Sequence, residues 1–301
     1  MHRRAVILTD TRHVLVSAYH GILRNQTFQA AAALSYYSIF SIFPALILLS
    51  SVMAYVPLPN FFQDAMFAIG RVAPPGTMPM INSIIQDILG ANAGAWLSLG
   101  TLGTLWIVSS AFDELIEALD AAYDVEDHRP FWKTRLLAVG LAAIIGFFLI
   151  CGIAAMIVGP KIGDWLAVRL SVSRAFVLLW PYIHWTLAVG LAVIAVQTVY
   201  SLAPNVKQRF RATLPGAVLS VVCWMGLSYL LRIYFRYFGN YNRTYGTLAG
   251  VMALMTWLYW AYFILLAGGE LNAQLTKARH VSRLLAEDNS ARKRRSTDRA
   301  A

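Results

Sequence analysis

The chain has 301 residues, 58% of them apolar and 13% charged, with a mean hydropathy of +0.57. A soluble domain carries roughly 25% charged residues, so about half the usual charge is missing and an ordinary soluble globular class is excluded. The net charge of +10 does not point to nucleic acid, because much of it (Lys277, Arg279, Arg283, Arg292, Lys293, Arg294, Arg295 and Arg299) crowds into one terminal tail. Such a tail meets anionic headgroups or serves as a topology signal.

Residues 1–30 form a basic segment in which Val14, Leu15, Ala18, Ile22 and Leu23 recur at helical spacing among Arg12, His13, His20 and Arg24. The pattern predicts a short amphipathic helix lying on the inner membrane surface. The apolar run from Ala5 to Leu8 is too short for a signal-peptide core, so the first span is expected to remain as an anchor. That span is predicted over about Ala31 to Val56. It carries Ser35, Tyr36, Tyr37, Ser38 and Ser41, whose hydroxyls suit packing between helices, and Pro44, which kinks it. Residues 57–94 are broken by five prolines into two apolar pieces, 61–69 and 81–89, each too short to span. They read as interfacial helices on the far side.

A second span, about Ala95 to Leu115, bears a stripe of small residues at Gly100, Gly103 and Thr104. It runs into the densest charge feature of the chain. Asp113, Glu117, Asp120 and Asp124 fall at i, i+4, i+7 and i+11, one helical face, within a stretch holding seven of the fifteen acidic residues. This face can recruit cations or basic partners, or it can pair with the basic segment that follows, Arg129, Lys133 and Arg135. The third span is predicted over about Leu136 to Val158, ended by Gly159-Pro160. The fourth covers about Ala175 to Leu202, with Pro181 and an interfacial His184 between Trp180 and Trp185. Cys151 and Cys223 lie in apolar runs, as small packing residues do, and no metal-ligand spacing is present.

The last hairpin closes the set. The run Gly216 to Leu231 leads into Arg232 and Arg236, a polar turn from Gly239 to Gly246, then a second run, Thr247 to Gly269, ending in Glu270-Leu271-Asn272-Ala273. Two such runs around a short turn form an antiparallel pair across a bilayer whose core is about 30 Å thick. Six spans result. With the N-terminus inside, 18 Lys and Arg fall on the inner side and 7 on the outer, which satisfies the positive-inside rule with both termini cytoplasmic.

Ionisable residues in spans are functional hypotheses by default. Arg232 and Arg236, one turn apart near the outer side, with Arg243, Tyr241 and Tyr245, can hold an anionic group, because guanidinium binds phosphate bidentately. The plainer account is snorkelling to outer headgroups. Glu270, near the inner interface with Asn272 and level with Asp113 and Glu117, can serve as a gate or proton site. Its plainer role is a capped structural carboxylate bonded to Asn272 or a neighbouring helix. Glu270 and Arg232 stand roughly 25 Å apart along the membrane normal and cannot pair. Gly246, Gly250, Gly268, Gly269, Trp257 and Trp260 read as packing positions. No P-loop, dinucleotide fingerprint, GxSxG or HExxH is present, so no enzyme, cofactor or catalytic residue is expected.

The stretch from Ala121-Ala122-Tyr123-Asp124 through Asp127-His128-Arg129-Pro130-Phe131, with Ala203-Pro204-Asn205, Pro215-Gly216-Ala217, the turn Tyr241 to Gly246 and Gly269-Glu270-Leu271-Asn272-Ala273, resembles the YihY/BrkB family of bacterial inner-membrane proteins. The resemblance covers nearly all of residues 20–275. This chain has Gly269 where the family usually has Ala before Glu-Leu-Asn, and Asp120 where it often has Asn. The resemblance implies an envelope protein: members are linked to virulence and envelope integrity, and one branch to lipid movement across the inner membrane. The family also carries a label as a tRNA-processing ribonuclease BN. A nuclease needs metal-binding carboxylates or histidines in an aqueous cleft, whereas the basic residues here follow membrane sidedness.

The expectation is an all-α polytopic inner-membrane protein of six transmembrane helices plus interfacial amphipathic helices. It divides into a cytoplasmic segment 1–30, a membrane domain 31–275 and a disordered basic tail 276–301. Its expected function is transport or translocation of an anionic lipid or related envelope component, with membrane lipids as partners and no nucleic acid. The alternative is a non-transporting scaffold for envelope integrity.

Overall fold

The computed structural model describes residues 2–55, 67, 70, 78–79, 93–170, 174–206, 208–237 and 247–298, and they are helical almost throughout. Among them are seven α-helices: α1 (His2–Arg24), α2 (Thr27–Tyr55), α3 (Ala93–Ala122), α4 (Phe131–Leu170), α5 (Arg174–Leu202), α6 (Leu214–Tyr237) and α7 (Thr247–Asp298). A 3₁₀ turn, Phe210–Ala212, leads into α6. Helix α7 is the hub, packing on α6, α2, α1 and α3, while α2 lies on α3, α4 on α5, α3 on α4 and α5 on α6.

The well-packed core sits at one end of the bundle. It joins Ala31 and Leu34 of α2, Leu115 and Leu119 of α3, Ala138 and Leu141 of α4, Tyr200 near the end of α5, Ala217 of α6 and Leu266 of α7. Beyond it, large apolar side chains such as Phe147, Ile150, Val222 and Leu230 face outward. Leaving each in water forfeits about 1.5–3 kcal/mol, so a bilayer is the medium in which this surface is stable. Among the described residues, four helical segments are long and apolar enough to cross one: Phe131–Gly163, Leu179–Leu202, Leu214–Tyr234 and Gly250–Arg279. These match the last four of the six spans anticipated from the sequence. The first two fall on α2 and α3, of 29 and 30 residues, which are not among the four. The interfacial helices anticipated at 57–94 lie almost entirely outside the described residues.

Three segments differ from expectation. Helix α1 docks on α7, burying Val14 and Ala18 while Leu15 and Leu23 stay exposed, so it is held by tertiary packing. Helix α4 does not stop at Gly159-Pro160 but runs to Leu170. A neighbouring helix can support backbone groups around a proline, and here Trp180 Nε1 of α5 donates to the Gly159 carbonyl (2.6 Å). His184, placed at an interface from its sequence context, packs on Gly159 and bonds the Trp180 carbonyl (3.0 Å). Finally, where the sequence suggests an unstructured tail from 276, α7 continues as helix to Asp298.

Candidate functional site

The packed end of the bundle carries a polar cluster built from five segments. Glu270 is 1% exposed. Its Oε2 accepts from Asn25 Nδ2 (3.0 Å), and Oε1 accepts from Gln274 Nε2 (2.8 Å). Gln274 is four residues on, the spacing that brings helical side chains together. Asn25 is 245 residues away in the chain, and no local signal reveals it. It arrives because α1 ends at Arg24 and Gln26 takes a left-handed φ of 51° before α2 begins. Gly21 of α1 sits against the carboxylate, so that even a methyl group there would overlap Glu270 Oε1.

Asn272 is also fully buried, but it does not pair with Glu270. It accepts from the Gly216 N–H (2.9 Å) and donates to the Thr213 carbonyl (2.9 Å), satisfying backbone groups in the first turn of α6. The approach is tight enough that Gly216 meets the Gly268 carbonyl and Gly268 meets the hydroxyls of Ser220 and Tyr200. Tyr200 bonds Ser220 (2.8 Å) and the Leu265 carbonyl. The packing role read for Gly268 and Gly269 is what the structure shows, since both are buried against α3, α5 and α6.

Of the four acidic residues read as one face, Asp113, Glu117 and Asp120 keep a common side of α3 but have different partners, and Asp124 leaves it. Asp113 pairs with Arg135, whose guanidinium lies 4.5 Å from the Trp106 ring centroid and also bonds the Trp106 carbonyl (2.9 Å). Glu117 is exposed. Asp120 is buried, and its Oδ1 accepts from the Asn205 N–H (2.5 Å) in the Ala203-Pro204-Asn205 loop. Asp124 lies past the helix end, where its N–H bonds the Ala121 carbonyl and the Val125 N–H bonds the Asp120 carbonyl. This is a Schellman closure with Asp124 left-handed at φ 55°. The turn swings Asp124 toward Arg24 (2.6 Å) and Lys277. Contact of Gly269 with Leu119 sets Glu270 beside the end of α3, about 9 Å along the helix from Asp113. Glu270 and Asp113 therefore belong to separate clusters.

Several buried acceptors at this end have no hydrogen bond among the described residues: Asp113 Oδ1, Asp120 Oδ2, the Tyr123 hydroxyl and Gln208 Oε1. Burial pushes the Tyr123 phenol up to about 12, and the Glu270 carboxylate adds to the rise. Burial also raises the Asp120 carboxyl, while its Asn205 bond and Arg129 pull it down and Asp127 pushes it up. Asp113, Glu117, Asp120, Asp127 and Arg129 line an open cleft of about 540 Å³. Among the described residues, no three His, Cys, Asp or Glu side chains are grouped as metal ligands.

The arginine and tyrosine group expected near the outer side is only partly described. Arg232 is exposed on α6. Because Gly216 is bonded to Asn272, Arg232 stands sixteen residues, about 24 Å, from the level of Glu270 and Asn272. The two are far apart, as the spacing required. Arg236 lies in α6 with its side chain outside the described residues, as are Tyr241, Arg243 and Tyr245 altogether. Sequence reasoning missed Gly21, Asn25, Thr213, Tyr200 and Ser220, all of which act through contacts between distant segments.

Residues 18–294 match the family model described as virulence factor BrkB. A ribonuclease-like protein of Bacillus subtilis (strain 168), YfkH, is 32% identical over 247 residues, covering 82% of this chain and 89% of that protein. A UPF0761 membrane protein of Xanthomonas campestris (strain B100) is 24% identical over 266 residues, covering 86% of this chain. A UPF0761 membrane protein of Xanthomonas axonopodis (strain 306) is likewise 24% identical over 266 residues. The chain spans 59% of the length of the former and 60% of the latter. No solved structure matches it. With the match running from α1 into the helical tail, and apolar helices facing outward, this chain is a membrane protein of the BrkB family.

Proposed function

We propose that this protein translocates an anionic lipid, or a related anionic envelope component, across the bacterial inner membrane, with both termini in the cytoplasm. One observation carries the reading. A cation, Arg232, is exposed on an otherwise apolar span, about 24 Å from the buried Glu270 carboxylate at the other end of the same helix pair. A guanidinium at that depth meets outer headgroups and binds phosphate bidentately. Arg232 and Arg236, with Arg243, Tyr241 and Tyr245, receive the headgroup. Glu270 and Asn272, where α1, α6 and α7 meet, form the inner gate, with Asp113 and Glu117 at the cytoplasmic mouth. The protein works on lipid without a chemical step, so no catalytic residue or cofactor is assigned.

A second reading, a non-transporting scaffold for envelope integrity, is favoured by the pairing of Glu270, both of whose oxygens already have donors. Headgroup-resolved lipid binding by native mass spectrometry separates the two, comparing the wild type with Arg232→Ala/Arg236→Ala. The transport reading predicts selective retention of one anionic lipid, lost in the double variant. Equal and unselective retention by both proteins removes the ground for preferring it and leaves the scaffold.

A further inference from the structure

We propose that the groove between the start of α4 and the end of α5 is a binding site for a membrane phospholipid with an anionic headgroup. The head sits at Lys133 and one acyl chain runs along α4. The site lies at the opposite end of the bundle from Arg232, and it holds whether or not lipid crosses the membrane.

The groove has a volume of about 340 Å³ and an almost wholly apolar lining of Leu136, Leu137, Gly140, Leu141, Ile144 and Leu202. Gly140 hollows it: a Cβ built there meets nothing within 4 Å. Leu136 and Leu202, 66% and 46% exposed, form its rims. It lies on the span Phe131–Gly163, which keeps Leu136, Ile144, Phe147 and Ile150 exposed, so hydrocarbon is what its open side meets. From Lys133 to Ile144 is eleven residues, about 16 Å, and one leaflet contributes about half of the roughly 30 Å hydrocarbon core. The groove thus has the depth of one leaflet, with its cation at the headgroup level.

Charge selects the head. Three cations open α4, and two are occupied: Arg129 by Asp127 and the Ala203 carbonyl, Arg135 by Asp113 and Trp106. The Lys133 ammonium lies 5.3 Å from the Trp132 ring centroid and has no carboxylate partner among the described residues. A second copy paired on this face about a two-fold axis would bring another Lys133 ammonium, not an anion, into the same interface. A phospholipid fills the groove with a chain and supplies the anion.

The test uses the full chain in liposomes of phosphatidylcholine and phosphatidylglycerol, doped in turn with a phosphatidylglycerol and a phosphatidylcholine analogue carrying the same photoactivatable acyl chain. Adducts are mapped by peptide mass spectrometry. The wild type is expected to show adducts at 136–144 with a preference for phosphatidylglycerol of about fivefold, the worth of one lysine at a membrane surface. Lys133→Gln keeps the adducts and loses the preference. Gly140→Leu loses them, while Gly146→Leu, the same bulk at another open position of α4, keeps them. Labelling at Leu149 and Ile150 reports that α4 of Gly140→Leu is inserted in the bilayer, and an unchanged unfolding midpoint reports that it is folded. Arg232→Ala/Arg236→Ala leaves the adducts in place, so failure of the translocation reading is seen separately. Equal labelling by both headgroups in the wild type would overturn the proposal, as would wild-type labelling in Gly140→Leu. So would an absence of lipid adducts with Gly140→Cys cross-linking between copies.

Discussion

Glu270 is the residue on which the packed end turns. A buried carboxylate that loses its donors, or donors that lose their carboxylate, costs about 1–3 kcal/mol. Glu270→Leu is therefore expected to lower stability by about that amount in a detergent unfolding titration, by stranding Asn25 and Gln274. Gly21→Val, which changes no charge but drives a side chain into the Glu270 carboxylate, is expected to do at least as much harm. An unaltered midpoint for both would mean that the α1–α7 contact is not part of the folded state. Asp120 allows a pH test. Its folded pKa is raised above the usual carboxylate value, chiefly by burial, so the folded state holds its proton more tightly than the unfolded chain does. The wild type is thus penalised at neutral pH and relieved as pH falls through the raised value. Asp120→Asn, which keeps an oxygen for the Asn205 N–H, is expected to be more stable than the wild type at pH 7, with the difference shrinking toward pH 4. A difference that grew toward acid would contradict the assignment. At this scale the sequence showed that Glu270 and Asn272 were buried polar residues near a span end, because composition and hydropathy fix that much. Their partners were not legible, since Asn25 and Thr213 are brought in by chain reversals that leave no periodic trace.

Among the elements, helix existence was legible because apolar runs of this length have one stable form in lipid. Helix ends were less so. Gly159-Pro160 reads locally as a stop, yet α4 passes through it because α5 lies alongside and contributes Trp180 and His184. The small residues on that face are what permit the contact. Gly163 meets the Trp180 indole, and a Cβ there overlaps the ring. Gly163→Val is expected to separate α4 from α5 at a cost of about 1–3 kcal/mol, the usual range for overpacking, visible as a lower unfolding midpoint and a shifted tryptophan emission. No change in either would show that α4 and α5 do not pack through this face. The acidic stretch carries a related lesson. Regular spacing from Asp113 to Asp124 suggested one face, but the Schellman turn ends α3 before Asp124 and redirects it to Arg24 and Lys277. That pair is half exposed, so Asp124→Ala is expected to change stability by no more than about 1 kcal/mol.

For the whole molecule, the end of α1, the loop 123–130, the stretches 203–206 and 208–213, and the part of α7 from Glu270 to Lys277 gather at one end of the bundle, through Arg24–Asp124–Lys277, Asn25–Glu270, Arg129–Ala203 and Asn272–Thr213. The count of Lys and Arg assigns these same segments to the cytoplasm. Single cysteines at Arg24, Asp124 and Lys277, in a background lacking Cys151 and Cys223, are expected to resist an impermeant thiol reagent on intact spheroplasts and react after lysis. Labelling of any one of them without lysis would invert the topology. The central claim is movement of anionic lipid, and its most direct test is flux. Proteoliposomes carrying fluorescent phosphatidylglycerol are quenched from outside, with empty vesicles, wild type and Arg232→Ala/Arg236→Ala compared at matched protein density. The account predicts that the wild type exposes the inner-leaflet probe many-fold faster than empty vesicles, while the double variant falls back toward the empty-vesicle rate. A folded wild type that moves the probe no faster than empty vesicles would contradict it and give first place to the scaffold.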